Sequence, residues 1–387
     1  MSGKPVTLAE YGLSPEWGYL QHQDPLLQLP PGNEAWDEMG RNLPKYLMAA
    51  DFRDRVEQLP DFDLSKVNSD AELRRAMLVI SYLSMAYQWS SNVAAEVLPS
   101  KLAVPWYEVG KRLGRPPILS YASYAIDNWY RIDKSGPIEC GNIALQQCFL
   151  GGQDEEWFIL IHIDIEKKAG SALHAIELAQ RAVVADDQAG LAAALTQLRD
   201  AIKAMYDVLA RMPERCDPYV YFHRVRPYIF GWKNNPALPN GVVYAGVTEY
   251  AGVGQRFRGE TGAQSAIVPA LDGALGIEHE RDELREYLME MRDYMPPMHV
   301  KFIEAVEAGP SIREYVNATN NSDLSKLLNQ SIELVADFRA LHLEYAGKYI
   351  HAQAQQTPGN PSAVGTGGTP FMVYLRKHRD ETRAQTV

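Results

Sequence analysis

The chain has 387 residues, a formal net charge of −11 and an ordinary globular composition, with 46% hydrophobic and 22% charged residues. That length can bury a large core and allows one big domain or two to three smaller ones, while the acidic balance weighs against nucleic acid or an anionic membrane as partner. No apolar run is long enough to span a bilayer, and Met1 to Leu20 lacks the basic-then-apolar pattern of a signal peptide, so a cytoplasmic protein is expected. Cys140, Cys148 and Cys216 show no CxxC spacing, which gives neither a disulfide framework nor a thiolate zinc site.

In chain order, the first 32 residues carry Pro25, Pro30, Pro31 and Gly32 and read as an irregular arm laid over the body. Ser69 and Asp70 are N-cap candidates for a helix through Leu73, Met77, Ile80, Ser84 and Tyr87, and Asp154 begins another through Trp157, Leu160, Ile161 and Ile165. Helical patterning also covers about 104–114, 117–133, 188–211, 217–230, 264–277, 279–293, 296–308, 323–352 and 370–383. Gly241-Val242-Val243-Tyr244 is the one short strand candidate, so the fold class is all-α. Two long loops interrupt the helices: Trp232 to Gly262, rich in Pro and Gly, and Thr357 to Thr369, ending in Gly365-Thr366-Gly367-Gly368-Thr369. Loops of this length serve as lids or binding loops, and for the second a flexible linker is the plain alternative.

Familiar catalytic arrangements are missing. His279-Glu280 has no second histidine at zinc-protease spacing, Gly252-Val253-Gly254 is not followed by a Lys-Ser/Thr pair, and no Gly-x-Ser-x-Gly elbow occurs. The nine histidines are scattered, without the paired spacing of a zinc or non-haem iron site. What remains is His342. Val335, Phe338, His342, Tyr345 and Tyr349 recur at spacings of three and four and define one apolar helical face, with a histidine where a leucine would pack. Arg339 lies three residues earlier on the same side. A lone histidine on such a face is more often a core residue bonded to a carbonyl; paired with the arginine it fits an apolar, metal-carrying ligand with an acidic edge, as haem is. A second constellation runs from Tyr221 to Trp232. Asp217 and Pro218 start its helix, and Pro227 removes a donor so that the helix kinks beside Arg226. An arginine among aromatics at a kink suits a carboxylate, although a surface arginine with its stem over tyrosines is the commoner arrangement.

Arg226-Pro227-Tyr228-Ile229-Phe230-Gly231-Trp232-Lys233-Asn234-Asn235-Pro236 is followed in order by four further blocks: Gln264-Ser265 with Asp272 and Leu275-Gly276-Ile277; Tyr294-Met295-Pro296-Pro297-Met298-His299; Arg339 with His342-Leu343 and Lys348-Tyr349-Ile350; and Gly365-Thr366-Gly367-Gly368-Thr369. Pro116-Pro117-Ile118-Leu119-x-Tyr121-Ala122 with Asn128-Trp129 lies upstream. Together these blocks resemble the indoleamine 2,3-dioxygenase family. The resemblance implies an all-helical haem b protein, with a small N-terminal domain over 1–115 and a large helical domain over 116–387. It further implies insertion of both atoms of O2 into the indole C2–C3 bond of L-tryptophan or a close indole, with a reductant to keep the iron ferrous. Position by position, it makes His342 the iron ligand, Arg339 the propionate partner and Asp272 the acid supporting that arginine. Arg226 becomes the substrate-carboxylate arginine with Tyr221 beside it. Tyr121, Tyr124 and Phe158 become the pocket wall, Gly262 part of the segment passing the substrate, and Thr366 part of the closing loop.

The chain departs from the mammalian pattern of phenylalanine, serine and cysteine with Tyr221, Phe230 and Tyr124, which implies a narrower, more phenolic pocket. His162 stands where those members have serine and resembles the distal histidine of the related tryptophan 2,3-dioxygenases; a histidine satisfied by a backbone carbonyl is its plainer reading. The substitutions leave room for tryptophan rearrangement or indole mono-oxygenation on the same scaffold, and a haem carrier without turnover is the alternative of a different class.

Overall fold

The computed structural model describes residues 3–354, 365–367 and 371–387. The expected Thr357–Thr369 loop therefore lies outside the described residues except for Gly365, Thr366 and Gly367. The N-terminal arm is irregular apart from a short 3-10 turn at Leu8–Tyr11, and it is tied down by burial of Val6, Leu8, Leu13, Tyr19 and Leu20. Three short helices follow, α1 (Glu34–Arg41), α2 (Leu43–Tyr46) and α3 (Phe52–Glu57). They carry no long apolar period, and what holds α1 is tertiary: Trp36 is fully buried and Asp37 is paired with Arg75 at 2.6 Å.

Next come α4 (Asp70–Trp89), α5 (Ser100–Leu113), α6 (Gln153–Val184) and α7 (Gln188–Ala210). α4 starts as the sequence suggests, with Ser69 accepting from the Glu72 N–H while the Glu72 carboxylate accepts from the Ser69 N–H. The helix expected over 117–133 reduces to one wide turn at Ala122–Ile126. Pro116 and Pro117 deny the preceding residues helical geometry, and Tyr130–Arg131 pairs antiparallel with Ile143–Ala144. The start of α6 is not capped by Asp154. The Glu155 carboxylate instead accepts the N–H groups of Phe149, Leu150 and Gly151 at 2.6–2.9 Å, which fixes the approach to the helix.

The rest of the chain holds α8 (Pro218–Val220), α9 (Ile267–Leu275), α10 (Glu283–Arg292), α11 (Pro297–Ala308), α12 (Ile312–Thr319), α13 (Ser322–Ala346), α14 (Ala352–Ala354) and α15 (Phe371–Arg383). Strands are limited, among the described residues, to four two-residue segments. Val243–Tyr244, inside the expected strand, pairs in parallel with Val97–Leu98. The all-α class therefore holds.

Two apolar clusters make the core, and α6 serves both. Ile159, Leu160 and Ile163 enter one cluster, while Trp157, Ile161 and Ile165 enter the other, so the helix is apolar on opposite sides. α6 packs along α7, α7 along α13, and α13 along α15, which brings the His162 segment and the His342 segment into one body. Among the described residues no helix is long and apolar enough to cross a membrane.

Candidate functional site

His342 does not sit in a dry stripe. Val335 and Tyr349 are buried and Phe338 and Tyr345 half-buried, but His342 itself is open to a water-sized probe. Yet enough protein surrounds the imidazole to lower its pKa to about 4, by burial first and then by the neighbouring His162. A side chain that is reachable by a probe, but hemmed in by protein, faces an internal hollow. The helical face expected to bury His342 is thus a wall of that hollow.

His162, which neighbours His342, sits in an aromatic cluster. The Phe158 ring centroid lies 4.7 Å from that of His162, 4.5 Å from Tyr221 and 6.3 Å from Tyr124, and Tyr121 meets His162 edge-on at 5.9 Å. Tyr221 in turn touches Tyr349, one step beyond α13, at 5.9 Å. Gln264 fixes the geometry of one corner by accepting the Tyr121 N–H and donating to the Gly259 carbonyl, both at 2.9 Å. His162 donates from Nδ1 to the Phe158 carbonyl at 2.7 Å, the backbone satisfaction that its plainer reading anticipates. That bond also fixes the tautomer and leaves Nε2 as an acceptor. Burial lowers the His162 pKa from its ordinary value, so the neutral imidazole is favoured.

Arg226 is fully buried where the helix changes type, after a wide turn at Tyr221–Val225 and at the start of a 3-10 turn, Arg226–Ile229, that carries Pro227. This is the expected kink, and Asp217 caps it as expected, accepting from the N–H groups of Tyr219 and Val220. The guanidinium carbon lies 4.4 Å from the Phe230 ring centroid and 5.3 Å from Phe222. Burial lowers its pKa to about 10, opposed by Tyr221, so it stays cationic at neutral pH.

Arg339 is engaged by Asp272 and Thr382. It donates to Asp272 Oδ2 and to Thr382 Oγ1, each at 2.6 Å, and is 7% exposed. Asp272 thus holds Arg339 as expected of a supporting acid, and the arginine with His279 keeps its carboxyl below the usual range against the opposing effect of burial. Gly262 opens a short turn, and a Cβ there would meet nothing within 4 Å, so the segment borders open space. Thr366 donates to the Glu260 carbonyl at 2.5 Å and its own carbonyl accepts from Gly231, while Arg258 holds Gly367 at 2.6 Å.

Sequence reading missed Glu260 and Glu166. Glu260 is 4% exposed, no hydrogen bond among the described residues reaches its carboxyl group, and burial raises its pKa to about 8. Its charge acts on the phenols of Tyr121, Tyr124 and Tyr221, so it belongs to the same wall. Glu166, one turn beyond His162, accepts from Ser265 Oγ at 2.8 Å and is raised to about 7. Its position in the apolar α6 register was a usable signal. Glu260 sits among glycines in a loop, where sequence carries no sign of burial.

Both acids keep in the folded chain a proton that the unfolded chain releases above its ordinary pKa of 4.5. Stability is therefore expected to fall as pH rises from 4.5 through 8, since the native state binds more protons over that window. For Glu260 the full cost is on the order of 5 kcal/mol. Glu260→Gln is expected to flatten this alkaline loss in denaturant titrations at pH 5 and pH 8.5. Identical pH slopes in parent and variant would place the carboxyl in water.

The residues present fit a haem: a neutral imidazole facing a hollow, an aromatic cluster nearby, and a buried cation whose charge is already balanced. A groove of about 480 Å³ between α6 and α7, lined by Lys168, Ser171, Thr196, Gln197 and Asp200, contains none of these side chains. The family model for "Indoleamine 2,3-dioxygenase" matches residues 7–385. The chain is 35% identical to human indoleamine 2,3-dioxygenase 2, covering 98% of this chain and 95% of that one. It is also 35% identical to rat indoleamine 2,3-dioxygenase 1, over 98% and 96%. A protein named myoglobin from Haliotis madaka is 30% identical over 97% of this chain and 98% of its own. Matched over nearly its whole length, the chain belongs to the indoleamine 2,3-dioxygenase family.

Proposed function

We propose that the chain is a haem-dependent dioxygenase that opens the C2–C3 bond of the indole of L-tryptophan, or a close indoleamine, to the N-formylkynurenine type of product. The observation that carries this reading is that His342 comes near His162 and its cluster of Phe158, Tyr121, Tyr124 and Tyr221, with Arg226 at the kink beside them. His342 would hold the iron through its neutral imidazole. Arg339, clasped by Asp272, would lie behind it toward the acidic edge of the macrocycle. The haem supplies activation of O2 when bound; the chain supplies binding, orientation and exclusion of water.

Three groups read the substrate. Arg226, desolvated among Phe222 and Phe230, pairs with the carboxylate. Glu260 is the one acidic group on the phenolic wall without a hydrogen bond among the described residues, and a substrate ammonium would displace its proton and pair with the carboxylate. Phe158 and Tyr221 stack on the indole, and the Nε2 lone pair of His162 accepts its N–H. Gly262 leaves room for passage, and Thr366, fastened to the Glu260 carbonyl, ties the closing segment to the ammonium end.

The deciding experiment is turnover of the haem-loaded, reduced protein with L-tryptophan under air, followed by chromatographic identification of the product. N-Formylkynurenine supports the reading; a hydroxylated indole assigns mono-oxygenation instead. The similarity to a protein named myoglobin gives oxygen carriage as the second reading. Reversible oxygenation with tryptophan unchanged would establish it.

His162 can be tested separately. His162→Ser is expected to retain haem, lower the rate, and narrow the preference for L-tryptophan over 1-methyltryptophan, whose methyl group blocks the bond to Nε2. Because burial lowers the imidazole pKa, the parent's acid loss of activity is expected at lower pH than an exposed imidazole would give. Equal kinetics on both substrates would leave His162 as packing.

A further inference from the structure

Beside Arg339, two histidines far apart in sequence come together. His279 lies in the turn after α9, and His378 and Glu381 are three residues apart on α15, so both project from one face of that helix. The rings of His279 and His378 stack with centroids 4.2 Å apart and a 31° tilt. One donor atom from each of His279, His378 and Glu381 falls within 4.8 Å of the other two. We propose that His279, His378 and Glu381 form a binding site for one divalent transition-metal ion, with zinc as the ion this donor set matches.

Several independent observations point to a ligand. His378 is 8% exposed, and no hydrogen bond among the described residues reaches either of its ring nitrogens. Glu381 Oε1 and Asp272 Oδ1 are likewise buried without a hydrogen-bond partner. A buried carboxylate oxygen left without a donor is costly, and two of them beside an imidazole that no hydrogen bond reaches are unusual in a settled core. A metal ion would satisfy the Glu381 oxygen and engage the His378 ring. His279 contributes Nδ1, now 2.6 Å from Glu381 Oε2, while Nε2 faces Asp272 Oδ2 at 3.3 Å. That places a carboxylate behind a ligating histidine, the arrangement that orients imidazole at zinc centres. Burial and the nearby His279 lower the pKa of His378 to about 3, so it is neutral and able to ligate.

The nearby cations do not forbid the site. Arg339 Nη2 lies 3.4 Å from His279 Nε2, but its charge is met by Asp272. Lys377 Nζ lies 3.5 Å from Glu381 Oε1 and already pairs with Glu280 and Asp282. Two imidazoles and one carboxylate leave a fourth position for water, the ligand count of an open zinc site. Since Asp272 supports both His279 and Arg339, the ion would pin α15 and the turn after α9 onto α13. Histidines too scattered in sequence to suggest zinc are thus gathered by the packing of α15 on α13.

The test uses untagged, haem-loaded protein, so that His342 and His162 do not compete, with Zn²⁺ titrated calorimetrically and Co²⁺ followed by its visible absorption. One ion per chain is expected, with low-symmetry Co²⁺ bands, and His378→Ala and Glu381→Gln are each expected to weaken binding at least about tenfold. Haem content and helicity of the variants serve as the folding check. Should either variant fail to fold, the parent alone decides through a Zn²⁺-dependent rise in Tm and the Co²⁺ bands. Absence of stoichiometric binding by the parent, or undiminished binding by both folded variants, would overturn the site. In His342→Ala the zinc site is expected to persist, which separates it from the haem assignment.

Discussion

Replacement of His342 by alanine is expected to abolish retention of haem, measured as haem absorbance per chain after gel filtration. Changes in groups that merely orient a metal ligand already cost roughly 10–100-fold in affinity, and here the ligand itself is removed. The remaining wall of α13, made by Val335, Phe338 and Tyr345, offers no nitrogen or thiolate in its place. The fold is expected to survive, because His342 faces a hollow rather than packing in a core. Protonation begins to compete with iron only as pH approaches about 4, so the parent should hold haem at pH 5.5 and lose it near pH 4. Full haem content with an unchanged ferrous spectrum in the variant would move the ligand to another residue.

Arg226→Leu should have the largest effect on substrate. With one partner of a desolvated carboxylate–guanidinium pair gone, about 2–5 kcal/mol is lost, and tryptophan binding weakens by an order of magnitude or more. Haem content should not change. The split between intact haem and lost tryptophan is the informative result. If the variant binds tryptophan like the parent, the carboxylate clamp is wrong, and indoles lacking a carboxylate become the better substrates.

The departures at Tyr221, Tyr124 and Phe230 take on a physical sense beside Glu260. Among the described residues the phenol of Tyr124 is buried without a hydrogen-bond partner, and burial raises the pKa of Tyr124 and Tyr221, so they remain neutral. Together with Glu260 they give the pocket polar hydrogen-bonding atoms in an apolar shell, where a substrate's ammonium and N–H groups can be satisfied.

By itself the sequence determined the helical class, most helix positions and the two residue groups around His342 and Arg226. Those follow from periodicity, caps and proline chemistry, which act within a few residues, as at Ser69 with Glu72, Asp217 with Pro218, and Pro227. Resemblance in ordered blocks fixed the family. Only the tertiary structure decided which way those side chains face. A spacing of three and four marks a helical face but does not distinguish a face buried in protein from one bordering a hollow, so His342 read as core. Nor does it show that Arg339 turns to Asp272 and Thr382. The short helix α1 depends on Trp36 burial and the Asp37–Arg75 pair, and the turn at Ala122–Ile126 on neighbours that no local pattern encodes. Burial is a property of the packed chain. It alone makes Glu260 a neutral acid, and it alone brings His279 to His378.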